Sequence, residues 1–303
     1  MGENQMNEQE FLIYFLEKDN FPKEAQEVIQ ELYGKILMDS DYKNRMDSLI
    51  NMFMNNFTIQ AFEQIDILAK DMNVHSYIMS MLLLVLSCKP LLKLYHERNI
   101  SEDIYWNTVE DLTCKLNECY QLYGIWGTFV REWFPRFYQM SRFALGRMQY
   151  EYSIFQLEEY SIGGFTVKKD DKVINMHIPA SGSFAEDKRM ESYHKAYEFY
   201  KKDFAGRPIP VVCSSWLLYP ELKDILPAHS NIRGFMNDFS YIHAYTDEFH
   251  DAWRIFGKDA NKLPKDLPRD TSLQKIFAEY LEKGRKPGKG YGILLLDENG
   301  IIS

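Results

Sequence analysis

The stretch Val173-Ile174-Asn175-Met176-His177-Ile178-Pro179-Ala180-Ser181-Gly182-Ser183-Phe184-Ala185-Glu186 decides how the second half of this chain reads. It begins as an apolar β-type run, passes through a turn of small residues and leads into a helical pattern. Ser183 and Glu186 have the spacing of a capping box, which predicts a helix beginning near Phe184. Such a junction points backbone N–H groups and the positive end of the helix dipole into the turn. It can hold a phosphate, or it can simply be a well-capped helix start.

On the N-terminal side of this stretch, the runs 147–157, 164–168 and 172–178 are β-type. Ser161-Ile162-Gly163-Gly164 and Lys169-Asp170-Asp171 join them as hairpin turns, which predicts an antiparallel meander. On the C-terminal side, Met190, Tyr193, Tyr197, Tyr200 and Phe204 follow helical spacing and line one face of a helix over 186–204. Residues 210–218 form a short apolar strand covered on both faces, and Tyr219-Pro220-Glu221 opens another helix. A strand over 234–245, a helix over 247–256 and a loop over 257–269 follow. Thr271 and Gln274 cap a helix that ends at Gly284, and residues 290–296 form the last strand.

Before about Met140 the pattern is different. Apolar residues recur every three or four positions, as in Phe11, Tyr14, Phe15 and in Val28, Leu32, Ile36, so this part is all-α. Pro22 and the group Ser101-Glu102-Asp103 mark helix starts near 22 and 101. Aromatic residues crowd between 120 and 138, where they pack a core or interface or line a ligand box. The fold class is therefore α+β in two domains: an all-α domain over 1–140 and a mixed α/β domain over 141–303.

Composition narrows the function. With 303 residues, 46% of them hydrophobic, there is enough apolar material for two cores. A net charge of −9 opposes binding to nucleic-acid phosphate and to anionic membranes, so neither is an expected partner. The apolar run 78–88 is too short to cross a bilayer by itself. Cys88, Cys114, Cys119 and Cys213 have neither zinc-site spacing nor the density of a disulfide scaffold, and residues 1–10 are polar and acidic. A cytoplasmic location is the expectation. His229, His243 and His250 lack metal-site spacing, so no metal is expected. The basic segment 284–290 lacks the Lys-Ser/Thr ending of a P-loop and reads as a turn.

The order of elements, a meander, a helix after its third strand, then strand and helix again, resembles the GNAT acyltransferase fold. Particular strings carry a closer resemblance: Arg147-Met148-Gln149-Tyr150-Glu151, His177-Ile178-Pro179, Ser192-Tyr193-His194-Lys195-Ala196, Val212-Cys213-Ser214-Ser215-Trp216-Leu217-Leu218-Tyr219-Pro220-Glu221-Leu222, Ser230-Asn231-Ile232 and Leu267-Pro268-Arg269-Asp270-Thr271-Ser272-Leu273-Gln274. They resemble a bacterial acyltransferase family with a helical N-acyltransferase N-terminal domain and a GNAT-like C-terminal domain. The match spans the chain and is densest over 140–296.

The resemblance implies acetyl-CoA or another acyl-CoA as co-substrate and a small-molecule acceptor. It implies that the turn residues Ile178, Ala180, Gly182, Ser183, Phe184 and Ala185 cradle the CoA pyrophosphate, and that the pantetheine arm enters between the fourth and fifth strands. This turn departs from the usual phosphate loop in having one glycine, Gly182, and no arginine at its start.

Acyl transfer to an amine needs a base, donors that polarise the thioester carbonyl, and an acid for the thiolate. His177 is the first candidate base and Glu151 the second, each on a predicted central strand. Cys213 offers a covalent acyl-enzyme route, although its apolar strand equally describes a buried thiol. Tyr219 is the candidate acid, because the resemblance implies a tyrosine from the helix after that strand. The alternative function is a non-catalytic GNAT-like module that binds a ligand or partner; another is an apolar groove on the helical domain. Oligomeric state is not legible.

Overall fold

The computed structural model describes residues 6–162, 164–246 and 249–302, and the chain divides into the units Met1–Phe143 and Ala144–Ser303. Gly163 of the expected first hairpin turn and Asp247 at the start of an expected helix lie outside the described residues.

The first unit is helical: α1 (Glu8–Lys18), α2 (Lys23–Leu37), α3 (Ser40–Met54), α4 (Thr58–Asp71), α5 (Ser76–Glu97), α6 (Glu102–Val109), α7 (Asp111–Tyr123) and the short α8 (Pro135–Tyr138). Its centre is α5, against which the other seven pack. Because α5 is apolar on every side, it can only be stable when surrounded. The 78–88 run belongs to this longer helix of 22 residues, which by length and composition alone could cross a membrane. Residues 79–88 are all buried within the unit. Ser101 caps α6 by accepting from the Asp103 N–H, as its position predicts, and Pro22 stands one residue before α2. In the aromatic segment Phe134, Phe137 and Tyr138 are core residues, whereas Tyr120 and Tyr123 remain exposed.

Asp19, which ends α1, is buried, and its Oδ2 accepts from Thr113 Oγ1 at 2.7 Å. Burial raises its pKa to about 7, and nearby Glu110 and Asp111 add to the rise. Below about pH 4 the carboxyl is protonated both folded and unfolded. Between about 4 and 7 only the unfolded chain ionises, so this group's contribution to stability falls as pH rises; above 7 the full cost applies. Asp19→Asn is expected to match the native protein in chemical denaturation near pH 4 and to exceed it at pH 8, by on the order of 2 kcal/mol.

The second unit is built on one mixed sheet. Its strands are β1 (Arg142–Leu145), which straddles the unit boundary, β2 (Met148–Ile154), β5 (Lys172–His177), β6 (Ile209–Ser215), β7 (Tyr241–Thr246), β8 (Gly288–Asp297) and β9 (Gly300–Ile302). They run in the order β1-β2-β5-β6-β8-β7, with β9 on β8. β3 (Glu159–Ile162) and β4 (Phe165–Lys168) form a separate hairpin. The helices are α9 (Glu186–Tyr200), α10 (Leu222–Ile225), α11 (Asn231–Asn237), α12 (Trp253–Phe256) and α13 (Ser272–Glu282).

The architecture is the expected one, a helical region followed by an α/β domain, but several local expectations are corrected. The three β-runs do not form a meander, because β2 pairs directly with β5 and the 164–168 run is in the excursion hairpin. That hairpin is kept off the sheet edge by its apolar residues, which cover Phe155, Val173, Val212 and Ile293. β1 was not anticipated. The strand expected over 210–218 ends at Ser215, where Trp216–Leu218 turns as a 3-10 helix. The segment expected to be a strand over 234–245 begins as α11, capped by Ser230, and only Tyr241–Thr246 is extended. The expected loop over 257–269 contains two 3-10 turns, at Gly257–Asp259 and Pro264–Asp266. The Thr271–Gln274 capping box is present. The glycines of the 284–290 segment partly belong to β8. At Gly288 and Gly290 a Cβ would lie within 2.6 Å of the Tyr219 ring and the Leu218 carbonyl, so the close approach of that turn requires glycine.

Candidate acyl-transfer site

Pairing of β2 with β5 sets Gln149 opposite His177 and Glu151 opposite Asn175. Side chains alternate across a sheet, so Glu151, Asn175 and His177 share one face. Their heads meet there: His177 Nε2 is 2.8 Å from Glu151 Oε1, and the Asn175 amide nitrogen is 3.1 Å from His177 Nε2 and 3.4 Å from Glu151 Oε1. Glu151 is 6% exposed and accepts charge-assisted bonds in a nearly dry setting. With Nε2–H donating to the Glu151 carboxylate, the Asn175 NH2 touches the ring without a hydrogen bond to Nε2 and donates to Glu151 alone, and the tautomer so favoured has Nδ1 as its basic nitrogen. Asn175 was not anticipated, although its place two residues before His177 on a strand was the available signal.

The parallel ladder between β5 and β6 is short. Ile174 pairs with Val211 and Asn175 with Val212, and pairing stops there. β5 nevertheless continues to His177, and β6 continues to Ser215 while paired on its other side with β8. The two parallel strands therefore part toward their C-terminal ends. His177 on one flank and Ser214 on the other are equally far past the last pair, and they point to the same face. The hairpin's apolar cluster covers that face over Val173 and Val212, below the opening.

The turn that follows β5 does not form the expected capping box. α9 begins at Glu186, and its N-cap Ala185 makes no side-chain cap. Ser183 Oγ instead accepts the Ala185 N–H at 3.2 Å, a local turn that competes with the cap and delays the helix. Gly182 has φ +78°, the left-handed conformation that favours glycine. The first turn of α9 carries Glu186 and Asp187, which already complement its dipole.

The cation absent from the turn's own sequence comes from elsewhere. Arg147, at the β1–β2 corner, donates from Nε to the Ser183 carbonyl at 3.1 Å, and its guanidinium lies 5.2 Å from the Phe184 ring centroid. Behind the turn, the buried Arg189 donates from NH1 to the Phe184 carbonyl at 3.0 Å. It also pairs with Asp238 through Nε at 2.6 Å and NH2 at 3.2 Å, and Tyr193 adds its hydroxyl to Asp238 at 2.9 Å. The turn is thus held from both sides. Arg147 is the first residue of the predicted 147–157 run, and only folding brings it to a turn 36 residues away.

The other two candidates are not brought to this face. Cys213 follows Val212, so it points to the opposite face with Tyr150, and burial pushes its thiol up to about 12. A nucleophilic thiol needs a depressed pKa, so Cys213 has the surroundings of an inert core residue. Cys213→Ala is expected to leave any acyl-transfer rate within about twofold while costing on the order of 1 kcal/mol of stability, measured by rate assay and denaturant melt. Tyr219 packs over Gly288 on that same opposite face and donates to Glu221 Oε1 at 3.2 Å; Tyr280 donates to Glu221 Oε2 at 2.7 Å. Of the turn residues, Gly182 and Ser183 are exposed, and Ile178, Phe184 and Ala185 are half-buried.

Comparison with known proteins identifies both domains. The profile of an N-acyltransferase N-terminal domain matches residues 10–140, and that of a GNAT-like C-terminal domain matches residues 143–294. No curated protein matches the chain. Among solved structures, an acyltransferase in complex with decanoyl-CoA and teicoplanin is 17% identical, with a TM-score of 0.69 over 93% of this chain and 86% of that one. An acyltransferase in complex with decanoyl-CoA is 20% identical, with a TM-score of 0.66 over 92% and 85% of the two chains. These likenesses show a shared fold. The chain belongs to the family that joins an N-acyltransferase N-terminal domain to a GNAT-like C-terminal domain.

Proposed function

We propose that this protein transfers an acyl group from acyl-CoA directly to an amine of a small-molecule acceptor. The observation that carries the reading is the opening between β5 and β6, flanked by the Glu151–His177 pair and followed by a turn to which Arg147 is hydrogen-bonded. In this reading the pantetheine arm lies in the opening, and the pyrophosphate meets Arg147 and the N–H groups of the Gly182–Ala185 turn. His177 takes the amine proton through Nδ1 as nitrogen attacks the thioester carbonyl, and Glu151 stabilises the imidazolium that forms. Collapse of the tetrahedral intermediate expels the CoA thiolate. That related folds have been solved with decanoyl-CoA, and one of them with teicoplanin as well, supports a medium-chain acyl donor and a small-molecule acceptor. A cytoplasmic location suits such a donor.

A ligand that binds only the folded protein raises its melting temperature. Decanoyl-CoA at 100 times its Kd is expected to stabilise the protein by about 2.7 kcal/mol, and acetyl-CoA, octanoyl-CoA and free CoA are the comparisons. No shift with any of the four would end the proposal. The second reading, a non-catalytic module, draws on the single-glycine turn and on the acids Glu186 and Asp187 at the helix start. It predicts binding without turnover.

A further inference from the structure

We propose that Tyr245, positioned by Ser214, is the hydroxyl that protonates the departing CoA thiolate, an assignment that rests on the acyltransferase reading above. Tyr245 lies opposite Lys289 on β8, and His243 lies opposite Tyr291. Ser214 of β6 also lies opposite Tyr291. By the alternation of the sheet, Tyr245, Ser214 and His177 all belong to one face, while Cys213 and Tyr219 belong to the other. The Tyr245 ring reaches back across β8, and its hydroxyl oxygen is 3.2 Å from Ser214 Oγ. A side chain from the edge strand thereby delivers its polar end to the strand that bounds the opening.

The opening consequently has two chemically different flanks. On the β5 side stand the His177 imidazole and, from neighbouring β2, the Glu151 carboxylate, which take up a proton; on the β6 side stand the Ser214 hydroxyl and the Tyr245 hydroxyl brought to it from β7, which can give one. Both hydroxyl residues are exposed on this face, so a substrate can reach them without displacing core. The Tyr219 hydroxyl, by contrast, is committed to Glu221 behind the sheet.

The step balances as follows. The amine nitrogen forms the C–N bond and gives its proton to His177. The C–S bond breaks, its electron pair stays on sulfur, and the Tyr245 O–H proton passes to that sulfur to release CoA as the thiol. The imidazolium proton then returns to the phenolate through solvent, leaving both residues as they began. Ser214 does not touch the sulfur in this scheme and acts by holding the phenol.

The test compares decanoyl-CoA with its oxygen ester, in which the thioester sulfur is replaced by oxygen. An alkoxide is a much poorer leaving group than a thiolate, so it depends more on an acid. Tyr245→Phe is expected to lower kcat with decanoyl-CoA by on the order of 10²-fold, to lower it by a larger factor with the oxygen ester, and to leave KM for the donor within about twofold. Ser214→Ala is expected to lower kcat less, and Ser214→Thr to restore it. Rates are read as acylated product from a panel of primary amines, with thermal melts confirming that each variant is folded. Equal slowing with the two donors, or no slowing, overturns the assignment of Tyr245. A native protein that binds decanoyl-CoA but acylates no amine overturns the acyltransferase reading itself, and this assignment with it.

Discussion

His177→Ala is expected to reduce kcat/KM for acyl transfer from decanoyl-CoA by on the order of 10²–10³-fold, the usual contribution of a positioned general base. The affinity for decanoyl-CoA should barely change, because in the proposed mechanism the imidazole acts on the amine proton and not on the CoA moiety. Glu151→Gln should fall in the same range. Its carboxylate fixes the tautomer of His177, and an amide that turns its NH2 toward Nε2 would impose the wrong one. The two changes should be strongly non-additive, with the double variant little slower than His177→Ala, because both remove one functional unit. Initial-rate kinetics on the three variants decide the matter. If His177→Ala retains a rate within about threefold of the native protein, the pair is structural and the chemistry lies elsewhere.

Arg147→Ala is expected to weaken acyl-CoA binding about 10- to 100-fold, corresponding to the loss of a hydrogen bond to a charged group, about 1.5–3 kcal/mol. The physical reason is the poverty of the turn itself. With one glycine, Ser183 engaged locally and two acids in the first turn of α9, the helix dipole has little to offer an anion. Arg147 supplies the positive charge that the turn's own residues lack. Arg147→Lys should recover part of the affinity, since it keeps the charge but not the fork. Calorimetry with decanoyl-CoA and with decanoyl-pantetheine separates the roles, because only the first carries phosphates. Equal weakening of both ligands would mean that Arg147 merely shapes the turn, and the pyrophosphate would then have to bind elsewhere.

Much of the fold was legible because periodicity is a local property. Helical spacing through the first 140 residues, the caps at Ser101 and Thr271, and the apolar strands around Val173 and Val211 each state their own conformation. The errors fall where two local readings compete and packing decides. The 164–168 run is a genuine strand, but its partner is its own hairpin mate, and in that pairing Val167 and Phe165 lie on the apolar cluster. Residues 231–237 form a helix because Phe235 and Met236 are buried on one side of it, and Phe235 meets the Phe184 ring at 4.9 Å.

By itself, the sequence determined that a helical region precedes an α/β domain, that a strand carrying His177 runs through a turn into a helix, and that Glu151 and His177 are chemically able to act as bases. It could not say that these two side chains touch, that Arg147 reaches the turn, or that Cys213 and Tyr219 face away from them. Those are facts of strand register and of tertiary approach between residues far apart in the chain. A one-residue slip in register would move Glu151, His177 or Cys213 to the other face, and register is set by which apolar surfaces are buried together.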